Sequence, residues 1–398
     1  MNKKILKILS CTLLTGLICI GYTTKAYAWD GKEDGTGTHS VIVTQAIEVL
    51  KHDLAKDEPE AIRNNLSILE ENLHKFQLGS TFPDYDPNAY SLYQDHFWDP
   101  DTDHNFTQDN KWYLSYAVPD NAESQTRKFA ALAKNEWAKG NYEKAVWYLG
   151  QGMHYFGDLN TPYHAANVTA VDSPGHVKFE TYAEERKDTY RLDTTGYNTD
   201  DAFYKDTLKN DNFNEWSKGY CKYWAKQAKY LYYSHATMSN SWDDWEYAAS
   251  HGVGNAQKGV AGYLYRFLND VSNKDAVDKD YNLNEIVVMI KTADVQDAGT
   301  DNYIYFGIET KDGVKEEWAL DNPGNDFTRN QEGTYTLKLK NKNIKYSDIK
   351  NMWIRDEKLT VATDGWKPSY VKVIAGDKVR LEKNINEWIS GGTTYPLN

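Results

Sequence analysis

The spacing of apolar residues predicts that the first part of the chain is helical. Residues 39–50 and 59–79 place apolar side chains every three or four positions, which is the period of an amphipathic helix. The same period continues through later segments at 125–137, 142–156, 176–190, 214–235 and 245–268. Residues 121–273 lack the alternation of a strand, so we expect an all-α domain.

After Val271 the pattern changes. Polar residues dominate 272–284 and include a charged run, which is typical of a linker. Short β-type segments then follow at 286–292, 303–308, 334–339, 351–354, 370–375 and 378–381. Because Asp, Asn and Gly turns divide them, they predict an antiparallel β-sandwich. The expected fold is therefore α + β in two domains: an all-helical domain at 29–274, a linker at 275–283 and a β-sandwich at 284–398.

The start of the chain is typical of an exported protein. Lysines precede an apolar run at 8–20, which is too short to span a membrane, and Ala-Tyr-Ala at 26–28 suits a cleavage site. We expect a signal peptide at 1–28 and a secreted, extracellular protein that begins at Trp29. No later apolar run is long enough to cross a bilayer.

The net charge argues against one class of partner, and the cysteine content argues against a disulfide. The net charge is −13, and loss of the four lysines in 1–28 takes it to −17. Such acidity argues against nucleic acid, although bound metal ions can still attract a phosphate-containing substrate. Cys11 and Cys19 lie in the signal peptide, so Cys221 remains alone and no intrachain disulfide is expected. Nothing in the sequence implies an obligate protein partner.

Five potential metal ligands lie within one short stretch. His154 and Asp158 are four residues apart, as are His176 and Glu180, so each pair shares a helix face; His164 lies between the pairs. Imidazole mixed with carboxylate suits zinc better than calcium or copper. A single histidine is more often a core or surface residue, but two helical pairs favour a metal site.

Other candidate ligands precede this stretch. His39 is expected in the first turn of a helix, Asp84 in a turn or helix end between two prolines, and His96 in an aromatic segment at 85–116. That segment lines a pocket or covers a satellite core. We expect the remaining histidines to be structural or at the surface: His52, His74, His104, His235 and His251.

The loops of the predicted sandwich are rich in oxygen ligands and suit calcium, which takes six to eight oxygens. Ordinary Asp/Asn turns are the alternative explanation, and no loop matches an EF-hand. The candidate calcium ligands are Asp297, Gly299, Thr300, Asp301, Asp321, Asn322, Gly324, Asn325, Asp326, Asp364 and Gly365.

With these residues in place, the whole mature chain resembles the bacterial zinc-dependent phospholipases C, and most closely the clostridial toxins among them. The residues that carry the resemblance are Trp29, His39, Asp84, His96, His-Tyr-Phe-Gly-Asp at 154–158, His164, His176 and Glu180. The resemblance also implies that the sandwich is of the PLAT type and docks on membranes through two or three calcium ions.

The resemblance implies three zinc sites, with Asp158 bridging two of them. The implied ligand sets are Trp29 (through its α-amino group and carbonyl), His39 and Asp158; Asp84, His96, His154 and Asp158; and His164, His176 and Glu180. It further places Tyr85 and Phe97 near a choline head group, which cation–π attraction would favour by roughly 0.5–2 kcal/mol. The α-amino ligand would exist only after the signal peptide is removed.

The function expected from this resemblance is hydrolysis of phosphatidylcholine, and of sphingomyelin, to diacylglycerol or ceramide and phosphocholine. The membrane phospholipids themselves are the expected partner, and a haemolytic toxin is the expected role. Asp84 is the candidate general base, although it could serve only as a ligand. Where the clostridial toxins carry bulky aromatic residues before Asp364, this chain has Leu359 and Ala362, so weaker insertion into intact membranes is expected.

Two other functions fit part of the pattern. A single-strand-specific zinc nuclease uses a similar cluster, but the acidic charge and the added sandwich disfavour it. A secreted calcium-dependent adhesin with structural zinc is the non-enzymatic alternative. Structural zinc sites usually have four protein ligands, whereas the third predicted set has three.

Overall fold

The computed structural model describes residues 29, 31–273, 279–359 and 364–398. The predicted signal peptide lies outside the described residues, as do 274–278 in the linker region and 360–363, which include Ala362. The described residues form two compact units, a helical one that ends at 273 and a strand-rich one that begins at 279.

The helical unit confirms the predicted all-α domain. Its α-helices are α1 (Thr38–Asp53), α2 (Glu60–Glu71), α3 (Leu73–Thr81), α4 (Ala122–Ala138), α5 (Tyr142–Asp158), α6 (Pro162–Ala165), α7 (Gly175–Arg186), α8 (Ala202–Lys205), α9 (Phe213–Leu231) and α10 (Trp242–Ser272). Short 3₁₀ turns at Phe82–Asp84 and Gln94–His96 interrupt the connection from α3 to α4. None of the helices among the described residues combines the length and hydrophobicity that a membrane crossing requires.

Local side-chain chemistry determines where these helices begin and end. A capping box starts α4, in which the Asn121 side chain accepts from the Ser124 amide at 2.9 Å. The predicted helix at 59–79 is two helices, because Asn72 turns away from helical geometry and its side-chain amide donates to the Ile68 carbonyl at 2.8 Å. A polar residue, Asn72, therefore divides a segment whose apolar positions continue on both sides of it.

Helix packing brings the ligand-bearing segments together. The long helix α10 packs against α1, α2, α5 and α7. Helix α3 approaches α5 very closely at Gly79 and Gly150: a Cβ at Gly79 would lie 2.2 Å from the Trp147 carbonyl oxygen, and one at Gly150 would lie 2.5 Å from the Phe76 carbonyl oxygen. Only glycine permits this approach, which holds the end of α3 beside the middle of α5.

The second unit confirms the antiparallel β-sandwich. Its strands are β1 (Glu285–Thr292), β2 (Tyr303–Thr310), β3 (Lys315–Ala319), β4 (Glu332–Lys338), β5 (Ile349–Glu357), β6 (Gly365–Trp366), β7 (Pro368–Ala375), β8 (Lys378–Asn384), β9 (Ile389–Ser390) and β10 (Thr394–Pro396). Two four-stranded sheets, β4-β1-β7-β8 and β10-β5-β2-β3, enclose the core, and β6 pairs with β9.

The sandwich core comes from the inward-facing residues of both sheets. Val288 of β1 lies opposite Tyr335 on one side and Val373 on the other, while Phe306 of β2 lies opposite Ile354; all five are buried. The sequence pattern missed β3 because this edge strand reads Lys-Glu-Glu-Trp-Ala and lacks an apolar alternation.

Candidate metal centre and functional site

The predicted zinc ligands of the helical unit converge in one buried pocket. They come from the first turn of α1, the two 3₁₀ turns, the last turns of α5, and helices α6 and α7. Each residue is at most 3 % exposed: His39, Asp84, His96, His154, Asp158, His164, His176 and Glu180. Residues far apart in sequence therefore meet where water is excluded.

Asp158 lies at the middle of the pocket. Its Oδ2 atom is 2.9 Å from His96 Nδ1 and 3.1 Å from His154 Nε2. Its Oδ1 atom is 3.5 Å from His39 Nε2 and 3.6 Å from His164 Nδ1. One carboxylate thus faces histidines of all three predicted sets, a position suited to a bridging ligand.

Asp84 enters the pocket from the other side. Its Oδ1 atom is 3.6 Å from His154 Nε2 and 3.9 Å from His96 Nδ1. A Cβ at Gly31 would lie 2.3 Å from its Oδ2 atom, so the segment that follows Trp29 passes directly against this carboxylate. Burial is the largest influence on the Asp84 carboxyl and raises its pKa well above the ordinary value.

The third predicted set is also compact. His176 Nε2 lies 2.7 Å from Glu180 Oε1, as their spacing of four residues on α7 predicts. His164 Nε2 is 3.2 Å from both the Glu180 carboxylate and His176 Nε2. Two aromatic rings hold the imidazoles: Phe97 stacks on His164 at 4.2 Å, and Tyr163 stacks on His176 at 5.2 Å.

Backbone carbonyls select the tautomer of two histidines. His154 Nδ1 lies 2.8 Å from the Ser80 carbonyl oxygen, and His164 Nδ1 lies 2.8 Å from the His96 carbonyl oxygen. A carbonyl only accepts, so each Nδ1 carries the proton and each Nε2 presents a lone pair to the pocket. The sequence held no signal for these carbonyls: the first depends on how α3 packs against α5, and the second on how the 3₁₀ turn at Gln94–His96 meets α6.

The buried groups shift one another's protonation. Burial disfavours charge on His96, but the carboxylate of Asp158 outweighs it and raises the pKa of His96 to about 9. Burial, with a smaller contribution from the charge of His39, lowers the pKa of His154 to about 3. Burial also raises the pKa of Glu180 to about 7. These opposite shifts are typical of ionisable groups packed for metal binding.

The donor set fits metal ions. Three groups each bring three ligand atoms within 4.8 Å of one another, and they are His39, His154 and Asp158; Asp84, His96 and His154; and His164, His176 and Glu180. Buried polar atoms such as His96 Nε2 and Glu180 Oε2 make no hydrogen bond within the described structure, and a buried polar atom requires a partner. The participation of His154 in two groups was not predicted.

The remaining predicted residues of this unit lie nearby. The Trp29 side chain is fully buried, and a Cβ at Gly252 of α10 would lie 3.3 Å from its ring. Tyr85 is half-buried beside Phe82, with the ring centroids 5.4 Å apart. Phe97 is only 5 % exposed, so most of its ring surface is already covered by neighbouring rings.

The histidines predicted to be structural or at the surface stay outside the three groups. Each of three has one carboxylate neighbour, which the sequence did not indicate: His52 with Asp53, His104 with Asp109, and His235 with Asp244. These pairs lie 3.4 to 4.0 Å apart and involve only one carboxylate each, so none of them resembles a metal centre.

The candidate calcium residues lie on loops of the sandwich, and two of the loops meet. The Asp364 carboxylate accepts from Thr300 Oγ1 at 2.6 Å and from the Asp301 amide at 3.0 Å. A Cβ at Gly299 would lie 2.9 Å from the Phe327 carbonyl oxygen, so the loop at 297–301 also touches the segment that follows 321–326.

The second acidic loop is folded on itself. Asp326 accepts from the Asn322 amide at 2.9 Å and from the Tyr335 hydroxyl at 3.1 Å, while Gly324 takes a positive φ of 110°. Within the described residues of the sandwich, no three carboxylates approach as closely as the ligands of the helical unit do. Calcium binding there therefore stays a prediction.

One buried carboxylate near these loops was not predicted from the sequence. Asp356 of β5 is fully buried, and its Oδ1 atom accepts from the Asn302 side chain at 2.8 Å. Burial first, and then the nearby charge of Asp364, raise the pKa of Asp356 to about 6. The available signal was the period of two that places Asp356 on the same inward face as Met352 and Ile354.

Two family models match this chain, one in its helical part and one in its strand-rich part. Residues 38–231 match the family model for zinc-dependent phospholipase C, and residues 286–398 match the PLAT/LH2 domain. The phospholipase C of Clostridium novyi is 62 % identical over 398 residues, and that of Clostridium perfringens is 60 % identical over 397; each pair aligns over 100 % of both chains.

Solved structures agree with these relatives. The alpha toxin from Clostridium absonum is 96 % identical, with a TM-score of 0.92 over 93 % of this chain and 100 % of that one. The alpha-toxin from an avian strain of Clostridium perfringens is 61 % identical, with a TM-score of 0.87 over the same shares. These full-length similarities favour a phospholipase over a nuclease or an adhesin. The chain therefore belongs to the zinc-dependent phospholipases C, in the branch that carries a C-terminal PLAT domain.

Proposed function

We propose that this phospholipase C is a secreted, membrane-damaging enzyme that hydrolyses phosphatidylcholine, and also sphingomyelin. The products are phosphocholine and either diacylglycerol or ceramide. The observation that supports the proposal most directly is the gathering of eight buried histidine and carboxylate side chains in one pocket, with Asp158 at its middle. Membrane phospholipids with choline head groups would be the partner. The net negative charge makes nucleic acid an unsuitable one.

The pocket would hold three zinc ions, one in each of the three groups of ligands. Asp158 would bridge two of them, because its two oxygens face different histidines. Trp29 would complete the first group through its α-amino nitrogen and carbonyl once the signal peptide is removed. Support for this role comes from the buried Trp29 side chain and from the contact of the following segment with Asp84.

Asp84 is proposed as the residue that accepts a proton from the attacking water. Zinc, when bound, would supply the Lewis acidity that polarises the phosphate and lowers the pKa of water. Water oxygen bonds to phosphorus, the P–O bond to glycerol breaks, and the departing oxygen takes up a proton. Asp84 suits this role because its Oδ1 atom faces the ligands while its Oδ2 atom rests against Gly31.

The choline group would lie against an aromatic wall. Tyr85 keeps accessible ring surface and is the better candidate for a cation–π contact, worth roughly 0.5–2 kcal/mol. Phe97 would contribute mainly by stacking on His164 and keeping that imidazole in place. We therefore assign both residues to the proposed substrate site: Tyr85 contacts the choline group, and Phe97 supports His164.

The PLAT domain would bind two or three calcium ions and place the enzyme on a bilayer. Asp364 and the loop at 297–301 would share one ion, and the loop at 321–326 would hold another. Calcium would then join protein carboxylates to lipid phosphates. With Leu359 in place of a large aromatic residue, insertion into intact membranes would be weaker, while cleavage of dispersed lipid would be unchanged.

The test is to purify the secreted protein and determine its first residue, its metal content and its release of phosphocholine. Three zinc ions, a start at Trp29, and activity that a chelator removes and zinc restores would support the proposal. Single-stranded DNA serves as the control substrate. Cleavage of that DNA without cleavage of lecithin would contradict the proposal, and so would a zinc-free protein that starts at Trp29.

A further inference from the structure

A carboxylate outside the proposed ligand set joins two of the helices that carry ligands. Glu184 lies on α7, one turn beyond Glu180, and its side chain is 13 % exposed. Its Oε2 atom accepts from the Thr38 amide at 2.9 Å and from the Thr38 hydroxyl at 2.6 Å. Thr38 is the residue immediately before His39.

This contact replaces a cap that α1 lacks. The residue before α1 is Gly37, which has no side chain to accept from the first amides of the helix. A carboxylate is the favoured group at this position, because the positive end of the helix dipole attracts negative charge. Glu184 therefore holds the start of α1 from a different helix.

The other oxygen of Glu184 is also occupied. Its Oε1 atom lies 2.7 Å from Lys187 Nζ and 3.2 Å from Lys32 Nζ. The two lysines and the start of α1 surround the carboxylate, so its rotamer is determined from several directions. A group fixed in this way can transmit a position from one helix to another.

We propose that Glu184 is a positioning residue, which sets the place of His39 relative to the ligands of α7. The inference rests on the proposed role of His39 as a zinc ligand. The His39 imidazole stacks on His154 at 3.9 Å and lies 3.5 Å from Asp158, so a displacement at Thr38 reaches the bridging carboxylate. Glu184 itself does not touch the reacting atoms.

The decisive variant is Glu184→Gln, which keeps size and shape but loses the charge and one acceptor. We expect zinc to leave about tenfold or more faster in the presence of a chelator, in the range found for residues that orient metal ligands. On a monomeric short-chain phosphatidylcholine, kcat should fall about tenfold while KM stays within about twofold. The absorption spectrum of the cobalt-substituted protein should change as well.

Glu185→Gln is the matched control, because Glu185 is exposed and its carboxylate accepts from Arg186 Nη1 at 3.3 Å. It should match the wild type in zinc release, kcat and spectrum. If Glu184→Gln does not fold, Thr38→Val decides the matter, since it removes the hydroxyl bond and keeps the amide. A changed cobalt spectrum in Thr38→Val supports the inference, and an unchanged one overturns it.

A folded Glu184→Gln protein with wild-type zinc release and spectrum would overturn the inference, even if its unfolding temperature were lower. His39→Ala separates this failure from failure of the ligand assignment. If His39→Ala loses zinc while Glu184→Gln does not, the positioning role alone is wrong. If His39→Ala keeps all its zinc, the ligand assignment is wrong and the inference is overturned with it.

Discussion

Adding a single methyl group at Gly157 tests whether a small displacement of a ligand in this pocket weakens zinc binding. Gly157 lies on α5 between His154 and Asp158, and a Cβ there would be 2.8 Å from His39 Nδ1. Favourable contacts between heavy atoms need about 3.5–4.0 Å, so Gly157→Ala must separate the two groups by roughly 0.7 Å. The imidazole has little room to move, because it already stacks on His154 at 3.9 Å.

Two effects of this substitution oppose each other. Alanine is preferred over glycine inside a helix by about 1 kcal/mol, whereas overpacking a tight interior costs about 1–3 kcal/mol. The metal-free Gly157→Ala protein should therefore be unchanged in stability or less stable by up to about 2 kcal/mol. Zinc ligands tolerate displacements of only about 0.2 Å, so zinc affinity should fall about tenfold or more.

The assay for Gly157→Ala combines competition with a zinc chelator, release of phosphocholine from a soluble substrate, and urea unfolding of the metal-free form. Gly219→Ala on α9 is the matched control, because an added Cβ there meets nothing within 4 Å. It should gain up to about 1 kcal/mol of stability and keep wild-type zinc affinity. Wild-type zinc affinity in Gly157→Ala would refute the packing argument.

Three further predictions concern single carboxylates. Asp84→Asn should lose most turnover while keeping its fold, with Asp86→Asn as the control; near-normal kcat at full zinc occupancy would remove Asp84 as the base. Asp364→Asn should reduce calcium-dependent binding to vesicles without slowing hydrolysis of dispersed lipid, and equal vesicle binding would contradict the calcium assignment. Asp53 accepts four hydrogen bonds from residues 194–204, so Asp53→Asn should lower the unfolding free energy by about 2–4 kcal/mol in urea at pH 7.

The Asp53 substitution also has a predictable pH dependence. Burial acts to raise the pKa of Asp53, but the hydrogen bonds from Thr194, Thr195 and Tyr204 together outweigh it and lower this pKa below its ordinary value. A carboxylate with a lowered folded pKa stabilises the protein above its unfolded pKa, and this stabilisation is lost as the pH falls through the folded value. The difference between wild type and Asp53→Asn should therefore shrink below about pH 4. A difference that grew in acid would contradict this assignment.

Parts of the pocket could be predicted because helix geometry is local. Ligands four residues apart on one helix must share a face, so the close contact of His176 with Glu180 followed from spacing alone. The meeting of Asp84 with His154 is different, since it depends on how closely α3 and α5 pack at Gly79. No periodic pattern of apolar residues encodes that close approach, and only the resemblance to a known family suggested it.

Only part of the β-sandwich could be predicted as well. Strands with inward apolar residues were predicted, whereas the charged edge strand β3 was missed because its sequence has no alternation. Asp356 was also missed, since a buried carboxylate violates the rule by which core positions are recognised. Its position beside Asn302 depends on pairing between strands that are distant in sequence.

Protonation of the metal-free pocket leads to a last prediction, because zinc must compete with protons for its ligands. At pH 7 the raised pKa of His96, about 9, and that of Glu180, about 7, mean that His96 is protonated and Glu180 is about half protonated. Burial keeps His154 and His176 neutral by lowering their pKa values to about 3 and about 4, so these two lose no proton.

Zinc binding at pH 7 should consequently release protons, and zinc affinity should rise with pH until His96 deprotonates near pH 9. Titration calorimetry in buffers of different ionisation enthalpy measures the number released. We expect more than one proton at pH 7, because the buried Asp84 carboxyl also has a raised pKa and must ionise to bind. In Asp84→Asn that contribution disappears, so fewer protons should leave. A heat of binding that is the same in every buffer would show that the pocket is already deprotonated, and the electrostatic picture of His96, Glu180 and Asp84 would then be wrong.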